Sequence, residues 1–166
     1  MSSPAQLDIV PHLGIGPVRL GMTRAEVEIA LARMPGALPR RRKGRSSAID
    51  CYFRSSLQVD FDADGTASFI EVWYYPATIF AYKGRDVFDL PAPELFALFA
   101  ADDASGPHGF VASGYLFPGR IVALWEADEQ YDRKGKESRP VYATVGVGDE
   151  RYLAAIRRIH GGSARS

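Results

Sequence analysis

The chain has 166 residues, 46% of them hydrophobic and 24% charged, which suits one globular domain with a real core. Its 20 basic and 20 acidic residues cancel, and this speaks against a general nucleic-acid binder. A single cysteine, Cys51, excludes an intrachain disulfide, and no Cys/His cluster has zinc spacing.

The opening residues, MSSPAQLDIVPHLG, have neither the basic n-region nor the apolar run of a secretory signal. No stretch approaches the roughly 20 apolar residues of a membrane span. The expectation is a cytoplasmic protein without membrane contact. Residues 13–20 carry Gly14, Gly16 and Pro17 and read as a turn-rich lead-in or short edge strand. Gly14-x-Gly16 does not read as a phosphate loop, because no strand is expected before it and Arg19 occupies the third glycine position. Thr23 and Glu26 then make a capping box, with Met22 and Val27 at the staple positions. The spacing of Val27, Ala30, Leu31 and Met34 predicts a helix over 24–34, ended by Pro35-Gly36. Residues 40–45 are the one charge block; lacking interleaved aromatics, they read as a solvated loop.

Residues 49–54 read as a strand, with Cys51 inside it as a buried structural thiol. No cue pairs Cys51 with His12, His108 or His160 as a base. Residues 57–75 give the clearest signal. Leu57, Val59 and Phe61 alternate with Gln58, Asp60 and Asp62, then Ala63-Asp64-Gly65 turns the chain into a strand rich in aromatic and β-branched residues. Pro76 ends it. The connector 79–87 has a short strand at 80–82. A second helix over 91–100 follows, with Pro91 and Pro93 in its first turn and Leu95, Leu98 and Phe99 inward. Residues 102–109 form a loop that leaves His108 exposed and titratable. A hairpin over 110–117 and 121–126 turns at Pro118-Gly119. A charged loop over 127–139 leads to a strand at 141–147. Asp149 caps a last helix through His160, with Tyr152, Leu153, Ile156 and Ile159 inward and Gly161 closing it.

The order helix–strand–strand–strand therefore occurs twice, in pseudo-repeats at about 15–80 and 85–160 of a single domain, 1–166. The fold expected is α+β, with antiparallel sheet and helices packed on one face.

Candidate chemistry is sparse. Asp60-x-Asp62-x-Asp64-Gly65 with Glu71 fits the spacing of a calcium loop, and these four carboxylates are the metal candidates. Their flanks have strand character, whereas a calcium loop of that kind lies between helices, so a plain Asp-Gly turn is the better reading and no cofactor is expected. No nucleophile elbow or zinc-protease pattern occurs. Trp73, Tyr74, Tyr75, Phe80 and Tyr82 make a dense aromatic run. Alternate members of a strand face opposite sides, so part of this run is available to a partner. Trp73, Tyr75 and Tyr82 are the partner-binding candidates.

Gly21-Met22-Thr23 followed by Val27, then Tyr52, then Val59-x-Phe61-Asp62-x-Asp64-Gly65, resembles the small outer-membrane assembly lipoproteins (SmpA/OmlA) and the repeat of the β-lactamase-inhibitor proteins. The resemblance covers residues 13–75, with the second half matching in element order. It implies a helix-then-meander unit, present twice in the inhibitor proteins, whose sheet face or loops grip another protein. This chain lacks a lipobox cysteine and the inhibitors' cysteine pair, so neither anchoring nor lactamase inhibition carries over. The function expected is a non-catalytic protein-binding module of the inhibitor or immunity type. A small-ligand or calcium-binding protein and a structural subunit of an oligomer are the alternatives.

Overall fold

A computed structural model describes residues 3–34, 40–41, 48–131 and 138–163. In chain order the described elements are β1 (Ala5–Val10), β2 (Gly14–Ile15), β3 (Val18–Arg19), α1 (Arg24–Leu31), β4 (Arg40–Arg41), β5 (Ile49–Tyr52), β6 (Leu57–Phe61), β7 (Ala67–Trp73), β8 (Thr78–Tyr82), β9 (Arg85–Asp86), α2 (Ala92–Asp102), β10 (Gly114–Phe117), β11 (Val122–Tyr131), β12 (Ser138–Gly148) and α3 (Glu150–Ser163). The class is α+β.

The larger sheet is antiparallel throughout, in the order β10-β11-β12-β7-β6-β5-β4. Its two meanders, β5–β6–β7 and β10–β11–β12, meet through their last strands, with Val72 opposite Val145 and Ile70 opposite Val147. Each meander follows a helix, α1 or α2, in the order expected from the sequence. The turn between β6 and β7 is tight: the Gly65 amide donates to Asp62 O at 2.8 Å, and Gly65 takes φ +80°. The capping box of α1 is formed, with Thr23 Oγ1 accepting from the Glu26 amide and Glu26 Oε2 from the Thr23 amide. Helix α1 stops at Leu31, short of Met34, and Pro35-Gly36 lies outside the described residues. Of the basic block, Arg40 and Arg41 pair with Cys51 and Asp50, and residues 42–45 lie outside the described residues.

Residues 5–10 correct the reading of the N-terminus. They form β1, which pairs in parallel with β8 and antiparallel with β2, giving a second sheet, β3-β2-β1-β8-β9. Gly14-x-Gly16 does follow a strand, but it serves a hairpin. A Cβ on Gly14 would lie 2.1 Å from Val18 O, so only glycine admits β3 at that distance. The stretch 127–139 is also corrected: β11 runs to Tyr131 and β12 starts at Ser138, so most of it is ladder, and residues 132–137 lie outside the described residues.

One core joins both halves. Leu57, Val59, Ile70, Val72, Val145 and Val147 of the large sheet pack with Val27 and Leu31 of α1, Leu95, Phe96 and Phe99 of α2, and Leu7, Ile9 and Phe80 of the small sheet. Helices α1 and α2 thus share one face of the large sheet. Helix α3 lies across the other, where Tyr152 stacks on Phe69 at 4.0 Å. Gly148 makes the approach possible, since a Cβ there would stand 2.6 Å from the Tyr152 ring. Helix α3 continues past Gly161 to Ser163, and Ile159, expected inward, is 65% exposed. No helix among the described residues is long and apolar enough to cross a membrane.

Candidate functional site

Directly paired residues of neighbouring strands point to the same side of a sheet. On the outer face, opposite α1 and α2, one row runs Trp125 on β11, Thr144 on β12 and Trp73 on β7. The next row runs Ala123, Gly146, Glu71, Gln58 and Cys51. Beyond it lie Gly148, Phe69 and Asp60, under α3. The middle of this face is therefore floored by small residues and bordered by indoles.

Two glycines let the rings lie down. A Cβ on Gly114 would meet Trp125 Cε3 at 2.4 Å, so the Trp125 indole rests on the edge strand β10. A Cβ on Gly146 would meet Phe69 Cζ at 2.2 Å. Trp125 is 41% exposed and Trp73 half-buried. The backbone beside both tryptophans is held in the left-handed region without glycine: Glu126 at φ 50° follows Trp125, and Phe53, Arg54 and Ser55 at 50°, 54° and 70° form the turn whose neighbour Ser56 accepts from the Trp73 amide. Such conformations cost free energy and persist where the surroundings enforce them.

Glu71 sits among these residues. Thr144 Oγ1 donates to its Oε2 at 3.3 Å. Burial, opposed by that hydrogen bond and reinforced by Asp60, pushes the Glu71 carboxyl up to about 7.

The sequence-expected partner residues separate. Trp73 faces outward. Tyr75 is half-buried, its ring 5.8 Å from Phe53. Tyr82 is corrected to a core position: it is 4% exposed, stacks on Phe99 at 4.2 Å, and its hydroxyl donates to Asp102. Trp125 went unnoticed although its phase was legible. Val122 and Leu124 are the core-facing residues of β11, so a tryptophan one position on belongs to the open face.

The four carboxylates of the calcium pattern do not converge on one point. Asp62 and Asp64 in the turn, with Asp149 at the start of α3, surround the Arg151 guanidinium instead. Arg151 Nη1 donates to Asp64 at 2.9 and 3.0 Å and to Thr66 Oγ1 at 2.7 Å, and Nη2 donates to Ala67 O at 3.1 Å. Thr66, through its hydroxyl and amide, and then Arg151 hold Asp64 below its ordinary range. Asp60 and Glu71 lie on the sheet face, where Asp60 borders the cleft that Asp62, Arg151 and Arg158 also line. The corner thus houses an internal cation, and among the described residues no group of three His, Cys, Asp or Glu side chains could hold a metal ion. Replacing Arg151 with Gln is expected to lower the melting temperature by about 3 °C at low salt and by less in ~0.5 M NaCl, because partly exposed ion pairs are screened. Thermal denaturation at the two salt concentrations checks this.

His108 is also corrected. Its side chain is 5% exposed and both ring nitrogens are engaged: Nδ1 lies 2.6 Å from Tyr115 Oη, and Nε2 lies 3.1 Å from Asp103 O and 3.2 Å from Asp103 Oδ1. Nε2 faces acceptors and donates, so in the neutral ring the Tyr115 hydroxyl donates to Nδ1. This chain of contacts fastens the loop after α2 to β10. Cys51 is buried, its thiol 3.9 Å from Gln58 Oε1. A cleft of about 520 Å³ lies elsewhere, lined by Gln6, Asp8, Tyr82, Lys83, Asp102 and Arg120 among others. Lys83 pairs with Asp102 there, and Arg120 Nε donates to Asp102 O at 2.7 Å.

No protein-family model matches the chain, and no curated protein or solved structure matches it.

Proposed function

We propose that this chain is a non-catalytic protein-binding module, of the inhibitor or immunity type, that grips its partner with the outer face of the large sheet. The observation that carries the reading is the row Trp125–Thr144–Trp73, two indoles on a face that α3 covers at one end only. Tryptophan dominates interface hot spots, since it buries a large rigid surface at small entropic cost. The resemblance to the helix-then-meander inhibitors supports the same reading, as does the strained backbone on either side of the row. The engagement of His108 and Cys51 within the fold is consistent with a role that needs no nucleophile or free base.

The test is affinity capture from the native host with mass spectrometry, run with the wild type and with Trp73→Ala and Trp125→Ala. The expected result is a specific protein held by the wild type and lost at least about tenfold by each variant, a hot-spot effect. Unchanged circular dichroism would show that the variants fold. Equal capture by both variants would remove the sheet face from consideration. A second reading, a small-ligand protein, draws on the cleft at Lys83, Asp102 and Arg120. It expects capture to be indifferent to either tryptophan.

A further inference from the structure

We infer that the cleft between the end of β1, the β8–β9 turn and Arg120 binds a free α-amino acid, its carboxylate on the Arg120 guanidinium and its ammonium on Asp8. This site shares no residue with the row Trp125–Thr144–Trp73 and goes beyond the protein-binding reading.

Four charged side chains line the cleft: Asp8, Lys83, Asp102 and Arg120. Two of them satisfy each other. Lys83 Nζ lies 2.7 and 2.6 Å from the two carboxylate oxygens of Asp102, and the Tyr82 hydroxyl also donates to that carboxylate. The other two are left over, one of each sign. Arg120 donates through Nε to Asp102 O at 2.7 Å, which holds the guanidinium in place. Its Nη1 and Nη2 have no acceptor among the described residues, and the Asp102 charge reaches them only through space. Asp8 accepts from Gln6 Nε2 at 3.0 Å and pairs with no cation among the described residues. Gln6, Asp8 and Val10 share the outward side of β1.

An α-amino acid carries the complementary pair of charges. Its carboxylate matches the planar fork of a guanidinium, and its ammonium suits a carboxylate that lacks a cation. A simple anion would meet Asp8 and Asp102, and a simple cation would meet Lys83 and Arg120, so neither sign alone is well received. The cleft holds about 520 Å³, within the range of small-molecule sites. Val10, 42% exposed, and Pro11 give it an apolar flank for a side chain.

The rim is strained at three points. Lys83, Ile121 and His12 take φ 50°, 52° and 67°; the first lines the cleft, and the others follow Arg120 and Pro11, which line it. For a β-branched residue such as Ile121 this backbone is a true outlier. Ile121 is 1% exposed, so packing enforces it. His12 Nε2 lies 3.0 Å from Gly119 O and ties the end of β1 to the turn that bears Arg120. Strain that the surroundings impose collects at ligand clamps, and here it fixes the two opposite charges on one cleft.

The probe is L-leucine, titrated into the full chain while the Gly84 and Arg120 amides are followed by NMR. 4-Methylpentanoate lacks only its ammonium, and 3-methylbutylamine lacks only its carboxylate. Leucine is expected to shift both signals saturably and to bind at least about tenfold more tightly than either analogue, the effect of one charge-assisted hydrogen bond. Asp8→Asn, at an exposed position, should erase the advantage of leucine over 4-methylpentanoate. Arg120→Lys keeps the charge, loses the fork and should weaken leucine at least about fivefold. The absence of a saturable shift below about 10 mM leucine, equal binding of 4-methylpentanoate, or undiminished binding by Asp8→Asn overturns the inference. Capture through Trp73 and Trp125 reads a different surface, so failure of one leaves the other standing.

Discussion

Replacing Asp103 with alanine is expected to destabilise the protein by about 3 kcal/mol at pH 7, the cost of emptying one end of a buried charged network. Asp103 is 4% exposed. Its Oδ1 accepts from the Ser105 amide at 2.9 Å and from the Ser105 hydroxyl, and its Oδ2 accepts from the Arg120 amide at 2.8 Å. His108 Nε2 lies 3.2 Å from Oδ1. The turn at Gly119 can come this close because it has no Cβ; one placed there would stand 2.7 Å from Oδ1. A single carboxylate therefore ties the end of α2, the loop bearing His108 and the turn between β10 and β11. Alanine leaves the donors behind with too little room for water to replace the oxygens fully.

The pH dependence follows from the direction of the shift. Burial pushes the Asp103 carboxyl up, but the Ser105 and Arg120 hydrogen bonds and His108 together bring it below its ordinary value of 3.8. A carboxyl lowered in the native state contributes stability above its unfolded value and loses it as the pH falls through the folded one. The difference between wild type and Asp103→Ala should thus be complete at neutral pH and narrow only below about pH 4. Urea denaturation from about pH 3 to 8 measures it. A deficit under about 1 kcal/mol at pH 7 would mean that the loop closes without the carboxylate.

How much of this was legible in the sequence depends on the range of the interactions. Local devices were readable: the Thr23–Glu26 box, the Asp64-Gly65 turn and the alternation from Leu57 to Phe61 each declare themselves within a few residues. Strand β1 was not, because Leu7 and Ile9 are too brief an alternation and its parallel partner, β8, lies some seventy residues away in the chain. The partner of the acidic turn, read in the sequence as a plain Asp-Gly turn rather than a calcium loop, was hidden for the same reason. Its cation is an arginine contributed by a helix near the other end of the chain, and a spacing rule cannot see it. His108 looked exposed between Gly106-Pro107 and Gly109, since nothing local announces that Asp103 and Tyr115 close on it. The candidate site was half visible. Trp73 stood out by composition, whereas Trp125, Thr144 and Glu71 gain meaning only when β7, β12 and β11 are set side by side.

Glu71→Gln is expected to raise stability by about 2 kcal/mol near pH 8 and to change it little near pH 4.5. The carboxyl titrates at 4.5 when unfolded and at about 7 in the fold, chiefly because burial disfavours its charge. Between those values the native state binds more protons than the unfolded chain, so stability falls as the pH rises through that window. Ionising such a group in place costs about 3 kcal/mol, and its partial contact with water trims the figure to about 2. Glutamine imitates the protonated acid, keeps an acceptor for Thr144 and removes the repulsion from Asp60. The gain would identify Glu71 as a residue whose ionised form the fold is better off without, set one row along from the two tryptophans on the outer face. Chemical denaturation at the two pH values decides the matter: a loss of stability near pH 8 would mean that the ionised acid serves the fold itself.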